Sequence, residues 1–457
     1  MAGNPGGTPS PRLADPAEGA GARSVVVHPE WTRTGVLYQL NTRQFTPEGT
    51  FAAAAEHLER LTRLGVRCVW LMPVHPIGEV ERKGRLGSPY AVRDYQAVNP
   101  EFGSLEDLRA FVERAHTLGL DVILDWVANH TAHDHPWVTE HPDWYRRDRE
   151  GRPMSPPWCD WDDVLDLDLS QPGAREAMAE ALRFWVEEVG IDGFRCDVAG
   201  FVPLGFWEEV RAELETTRPV FLLAEWEERD LHARAFDATY GWTWQKVLVD
   251  IAQGRADARA LEQWASTHVK AWSHGGQRML FVSNHDKNAW EGAAEEQFGA
   301  AVPLVHALAF LMEGLPMVHN GDEVGQPRRL AFFDRDPIRW DEGLLPLEDW
   351  LGGLARLRAE HPALHAPPFG APLQPVGHDQ RGSGFAFLRE AAGEQVLVLA
   401  NLTGRGLGMR LTDADLMGPW REVWGPVGPG DQEVAVTKAD PLGLTAWGVR
   451  VLVRAIG

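Results

Sequence analysis

From Gly35 to His319 short apolar runs alternate with longer stretches whose apolar residues recur at helical spacing, and this alternation constrains the fold more than any other feature. Runs of that kind are strands covered on both faces, and a helix between two of them returns the chain so that they pair in parallel. The candidate strands are 35–40, 66–72, 121–125, 191–197, 220–225, 236–240, 279–283 and 316–319. Eight βα units in succession predict an α/β fold of the (β/α)8 TIM-barrel type.

Three of the intervening helices carry start and stop signals. Thr50 caps a helix with Phe51, Ala54, Leu58, Leu61 and Leu64 on one face, ended by Gly65. Ser104 with Asp107 makes a capping box before Leu105, Leu108, Val112 and Ala115, and Gly119 is the stop. The third opens near Pro172 and runs through Met178, Leu182, Trp185 and Val189 to Gly190. Segment 131–170, crowded with Pro, Asp, His and Trp, reads as a short inserted subdomain after the third strand.

Beyond a last apolar helix the period changes to two, at Phe385 and Phe387, Val396 and Val398, and Val449, Val451 and Val453. The barrel is therefore assigned to 25–365 and a C-terminal antiparallel β-sandwich domain to 366–457. Residues 1–24 are rich in Gly, Pro and Ala and lack the apolar stretch of a secretory signal, so they read as a disordered arm. A cytoplasmic protein is the expectation.

Composition excludes several functions. No apolar run approaches the roughly 18 to 20 residues of a membrane span. A formal charge of -22 disfavours nucleic acid, whose phosphates call for a positive surface, and favours a neutral substrate. Cys68, Cys159 and Cys196 are too few and too scattered for a disulfide framework or a zinc cluster. The 20 tryptophans offer flat apolar faces of the kind that stack on sugar rings. No feature of the chain specifies an oligomeric state.

Four polar clusters stand just past predicted strand ends, where a barrel places its reactive groups. They are Asp125-Trp126-Val127-Ala128-Asn129-His130, Gly193-Phe194-Arg195-Cys196-Asp197, Ala224-Glu225-Trp226 and Ser283-Asn284-His285-Asp286. Breaking a glycosidic bond builds positive charge at the anomeric centre, so one carboxylate must attack it while a second, protonated, serves the leaving oxygen. Arg195 lies two residues from Asp197 on the same strand face and is expected to keep it ionised. Glu225 ends an apolar run, where burial is expected to raise its pKa toward that of a working acid.

On these residues the sequence resembles the α-amylase family, whose four short motifs match the four clusters in order. The resemblance implies retaining hydrolysis of α-1,4-glucosidic bonds in malto-oligosaccharides and related α-glucans through a covalent glycosyl-enzyme. It implies Asp197 as nucleophile, Glu225 as general acid/base and Asp286 as a third carboxylate that binds sugar hydroxyls. It further implies sugar contacts from His130 and His285, a supporting role for Asp125 and Asn129, and a sugar-stacking ring at Tyr90. Tyr90 lies in Ser88-Pro89-Tyr90-Ala91-Val92-Arg93-Asp94-Tyr95, where Asp94 is a further supporting candidate. Trp226, beside the acid/base, is a candidate sugar platform.

Departures from the family pattern bear on substrate. Val198-Ala199-Gly200 follows Asp197 where many starch-degrading members carry a Lys-His pair, which turns the expectation toward short oligosaccharides. The short insertion implies a trimmed calcium-holding subdomain: no cofactor is expected to be required, and Asn129 with several Asp residues leaves room for a structural Ca2+. Transfer of the glucosyl unit to another sugar, as in members that handle trehalose, sucrose or branched glucans, uses the same intermediate. A barrel that has lost catalysis and only binds sugar would show the loss in its carboxylates, and Asp197, Glu225 and Asp286 are all present.

Overall fold

The computed structural model describes residues 26–157, 159–271, 275–425 and 428–456; the predicted arm 1–24 lies outside them. Strands Val36–Leu40, Val66–Leu71, Asp121–Trp126, Gly193–Cys196, Phe221–Ala224, Ala238–Tyr240, Gln277–Phe281 and Leu315–His319 pair in parallel in chain order. The first closes on the last with Leu37 opposite Met317, so the sheet is a barrel of eight strands. Side-chain alternation divides each strand between two cores. Leu37, Cys68, Trp70, Ile123, Leu223, Tyr240, Phe281 and Met317 fill the interior. Val36, Tyr38, Val69, Leu124, Phe194, Cys196 and Leu280 face outward into the helical layer. Cys196 is thus a small residue of that outer layer.

Several predicted boundaries shift, each for a local reason. The fourth and fifth strands stop at Cys196 and Ala224, one residue before Asp197 and Glu225, which leaves both carboxylates at the barrel's mouth. The fourth begins only at Gly193, whose φ of 153° and closeness to Phe221 admit no side chain: an added Cβ would lie 1.9 Å from the Phe221 carbonyl oxygen. The single helix expected over 50–65 is two, Phe51–Ala55 and Leu58–Arg63. At the break His57 N–H donates to Ala54 O, and the His57 ring lies against Phe45 and Trp340. The Ser104 capping box forms, with Asp107 N–H donating to Ser104 Oγ and Ser104 N–H to Asp107 Oδ2. The third helix, Pro172–Phe184, ends in a π-helical turn, Trp185–Val189, and the left-handed Gly190. Trp185 Nε1 there donates to Tyr95 O at 2.7 Å.

In the insertion His130–Ala132 pairs antiparallel with Val164–Asp166, and the helix Trp137–Glu140 lies in the connection between them. The C-terminal domain is an uneven sandwich. One six-stranded antiparallel sheet carries Leu397, Leu399 and Leu452 against Met409, Leu442 and Leu444 of a two-stranded ribbon. Its opposite face, with Phe385, Phe387, Val396, Val398 and Val451, joins the main core of the barrel. Arg389 fastens this junction: it is fully buried and donates to the carbonyls of Ala371, Leu311, Met312, Leu364 and His365. Among the described residues no helix is long and apolar enough to cross a membrane.

Candidate active site

The polar end of the barrel interior is organised by Arg195. This fully buried side chain points inward because Phe194 and Cys196 on either side of it point out. Its Nη1 donates to Asp125 Oδ1 at 2.7 Å and to Asp197 Oδ1 at 2.9 Å, while Nη2 lies 2.7 Å from Glu225 Oε1. Nε donates to Tyr240 Oη at 3.1 Å, and the guanidinium lies over the rings of Trp70, Tyr90 and Tyr240. Strands three, four and five thus deliver one carboxylate each to one cation.

Burial and crowding set the protonation. Asp125 is pushed up to about 6 by burial, against the pull of Arg195. Asp197 is raised well above the usual range, first by burial and then by Glu225, while Arg195 pulls it down; Glu225 is also raised by burial. The expectation that Arg195 keeps Asp197 ionised while burial raises Glu225 is modified by burial acting on both groups. Both carboxyls are buried on the same Arg195 guanidinium, Asp197 Oδ1 at 2.9 Å and Glu225 Oε1 at 2.7 Å. One guanidinium offsets the crowding of three buried carboxyls only in part, so both Asp197 and Glu225 stay raised.

The backbone contributes as well. Val198, just after Asp197, donates its N–H to Glu225 Oε2 at 2.8 Å from a left-handed conformation, φ 36° and ψ 47°. Asp286 stands on the far side and is the most open of the three carboxylates, with its side chain 40% exposed against 10% for Asp197 and 9% for Glu225. His285 is buried 3.3 Å from it.

A hydrogen-bonded relay fixes His285. Tyr90 Oη–H donates to Asp125 Oδ2 at 3.0 Å, so it must accept from His285 Nε2–H at 2.7 Å. His285 Nδ1 then accepts from Gln39 Nε2 at 2.6 Å, while Gln39 Oε1 accepts the His285 backbone N–H at 3.2 Å. Trp70 Nε1 completes the floor by donating to Asp125 Oδ2. Tyr90 is largely buried, with its ring stacked beside His285 and Phe332.

The remaining candidates fall in different places. His130 is buried, its pKa pushed down to about 3, and its ring lies near Trp161 of the insertion. Asn129 links the third strand to the insertion: its carbonyl accepts Leu167 N–H and its amide nitrogen lies 3.3 Å from His130 Nδ1. Trp226 lines the rim between Phe201 and Trp242. Asp94 does not join the cluster: it is exposed and its carboxylate accepts Gln96 N–H. The loop turns Tyr95 inward instead, where its hydroxyl donates to the carbonyls of Val127 and His130. Glu323, just past the eighth strand, is fully buried and holds Tyr38 and Arg60.

Gln39, Trp70, Tyr240 and Val198 touch this cluster, and the sequence reading does not single them out. Three are inward-facing residues near the ends of strands one, two and six, so period-two alternation carried to those ends would point to them. For Ca2+ near Asn129 the donors are a poor fit. Asp166 is already 3.4 Å from the Arg146 guanidinium, and among the described residues no three or more His, Cys, Asp or Glu converge as a metal site.

A family model described as alpha amylase, catalytic domain, matches residues 19–161 and 158–343. The chain is 28% identical over 447 residues to the α-amylase MalA of Haloarcula japonica, covering 92% of this chain but only 63% of that relative's length. It is 35% identical over 219 residues to an α-1,4-glucan:maltose-1-phosphate maltosyltransferase of Rhodospirillum rubrum, covering 43% of this chain and 32% of the relative. Among solved structures it is similar to a maltogenic α-amylase of Thermotoga neapolitana, with 28% identity, a TM-score of 0.84 and coverage of 93% of this chain and 99% of that one.

Proposed function

The chain belongs to the α-amylase family, and on that footing we propose that it hydrolyses α-1,4-glucosidic bonds of malto-oligosaccharides and related α-glucans with retention. Asp197 attacks the anomeric carbon as Glu225 gives its proton to the departing oxygen, forming a glycosyl ester on Asp197. Glu225 then takes a proton from water, whose oxygen attacks the same carbon and frees Asp197. Asp286, His285, His130 and Tyr90 hold the sugar that is being cleaved. No metal takes part.

The observation that carries this reading is the single guanidinium of Arg195 holding Asp125, Asp197 and Glu225 at the barrel's mouth. The closeness of Asp197 and Glu225 to one guanidinium supports double displacement, since an inverting enzyme must fit a water between sugar and base. Short oligosaccharides are favoured over starch by the 198–200 departure and the small insertion. The maltosyltransferase similarity supports a second reading in which a sugar takes the place of water as acceptor. Proton NMR of the nascent product from maltotetraose tests the mechanism: the α-anomer is expected first, and a β-anomer would refute it. A product chromatogram over maltose to maltoheptaose, starch and pullulan separates hydrolysis from transfer, because only transfer yields products longer than the substrate.

A further inference from the structure

Two residues past Glu225 stands a second glutamate, Glu227, which the chemistry proposed above does not use. Its side chain is only 11% exposed. Thr243 N–H donates to Glu227 Oε2 at 2.9 Å and Thr243 Oγ–H to Oε1 at 2.5 Å, while the buried guanidinium of Arg278, on the seventh strand, pairs with Oε1. Thr243 lies in the first turn of the helix Trp242–Ala252, whose leading N–H groups lack partners within the helix, so a carboxylate is well placed there.

The knot extends behind these residues. Thr243 Oγ1 accepts from Trp264 Nε1 at 2.9 Å and from Arg278 Nη2 at 3.1 Å, and the guanidinium lies over the Trp264 ring, which stacks on His268. Backbone bonds fix the two residues before Glu227: Glu225 N–H donates to Cys196 O and Tyr240 N–H to Trp226 O, each at 3.0 Å. Beyond it Glu228, Arg229 and Asp230 are exposed. Glu227 therefore stands where the segment that carries the acid/base leaves the body of the barrel.

A general acid works only while its proton faces the departing oxygen, and a displacement of about 1 Å can cost on the order of 100-fold in rate. Arg195 and the Val198 N–H hold the carboxyl end of Glu225, and its backbone end needs an anchor of its own. Resting on the function proposed above, we propose that Glu227 is a positioning residue for the acid/base: by clamping the chain to Thr243 and Arg278 it fixes where Glu225 aims its proton. It acts through Glu225 and not on the sugar itself.

The test compares two substrates on the full-length enzyme. Maltotetraose needs a proton on its leaving oxygen, whereas the fluoride of α-maltosyl fluoride departs without one, and kcat/KM reports the bond-breaking half of the reaction on each. Glu227→Gln keeps the shape and removes the charge. It is expected to lower kcat/KM on maltotetraose about 10- to 100-fold and to leave that on the fluoride within about twofold. A purely structural role would lower both alike, through the fraction of folded enzyme. The double variant Glu227→Gln/Arg278→Met also removes the guanidinium that has lost its carboxylate, so its unfolding temperature should return toward wild type while the maltotetraose defect remains. Equal losses on both substrates, no loss on either, or a maltotetraose rate that returns with stability in the double variant would overturn the positioning role and leave Glu227 as the counter-ion of Arg278. A wild-type enzyme that cleaves neither substrate would instead overturn the roles of Asp197 and Glu225, and the positioning role with them.

Discussion

Val198 occupies the left-handed region at φ 36° and donates its N–H to Glu225 Oε2 at 2.8 Å. A β-branched residue is costly in that conformation, on the order of 1–3 kcal/mol, so the strain is held where it aims an amide at the acid/base. Val198→Gly keeps the amide and removes the clash. The expected outcome is an unchanged or higher unfolding temperature with activity within a few-fold of wild type. A clear fall in unfolding temperature would mean that packing of the half-buried valine side chain outweighs its backbone strain.

Asp197→Asn removes the attacking charge and keeps the shape, so turnover should fall by several orders of magnitude with substrate binding largely retained. Glu225→Gln should be severely impaired on maltotetraose but far less on α-maltosyl fluoride, which leaves without a proton. Steady-state kinetics on the two substrates checks both, and equal impairment of Glu225→Gln on each would remove it from the acid role.

The clustered carboxylates Asp125, Asp197 and Glu225 are legible in the sequence because each ends or follows an apolar run that has to be a buried strand, which puts it at the barrel's mouth. Arg195 is legible for the same reason, two residues from Asp197 along one face. What period-two reasoning cannot reach is the loop: Asp94 and Tyr95 are adjacent, and only the packing of Tyr95 beneath Val127 and His130 decides that Asp94 points to water. Phe332, which stacks beside Tyr90 and His285, comes from a long aperiodic connection after the eighth strand and carries no local signal. The broken helix at His57 is hidden because the apolar spacing of 50–65 continues across it, while the His57 ring packs on Phe45 and, far along the chain, on Trp340.

Acid should weaken the fold through buried histidines such as His135, whose pKa burial pushes down to about 3, with nearby His75 adding to the effect. Below an unfolded value near 6.5 the unfolded chain binds a proton that folded His135 refuses, so this stability is present above about pH 6.5 and lost as pH falls toward 3. His135→Asn removes that term. Its stability relative to wild type, measured by denaturant unfolding, should improve by up to about 1.4 kcal/mol per pH unit below 6.5. A pH-independent difference would show that His135 protonates as readily folded as unfolded.

Arg146 Nε lies 3.4 Å from Asp166 Oδ2, so this carboxylate already has a cation beside it. Prolonged EDTA treatment should therefore leave both activity and unfolding temperature unchanged. A loss of either that added Ca2+ reverses would mean that the enzyme holds a Ca2+ it needs.

Gln39 offers the most specific test of the relay. Its amide satisfies two opposite demands at once, accepting the His285 backbone N–H at Oε1 and donating to His285 Nδ1 from Nε2. The donation leaves the ring proton on Nε2, where Tyr90 accepts it and passes its own hydroxyl proton toward Asp125. Gln39→Glu keeps the shape but makes donation depend on pH. While the introduced carboxyl is protonated it donates to Nδ1 as the amide does. Once ionised it can only accept, which draws the His285 proton to Nδ1 and turns the Nε2 lone pair toward Tyr90. The burial of position 39 should raise the pKa of the introduced group above the usual glutamate range. The variant should therefore approach wild-type kcat at low pH and fall progressively, by about 10- to 100-fold, as pH rises through that pKa. KM should change less, because Gln39 acts through His285 and not on the sugar itself. Nitrogen-15 NMR of the histidine ring reads the tautomer directly. A variant whose kcat relative to wild type is the same at every pH, with the His285 proton still on Nε2, would show that Gln39 does not set the ring's orientation.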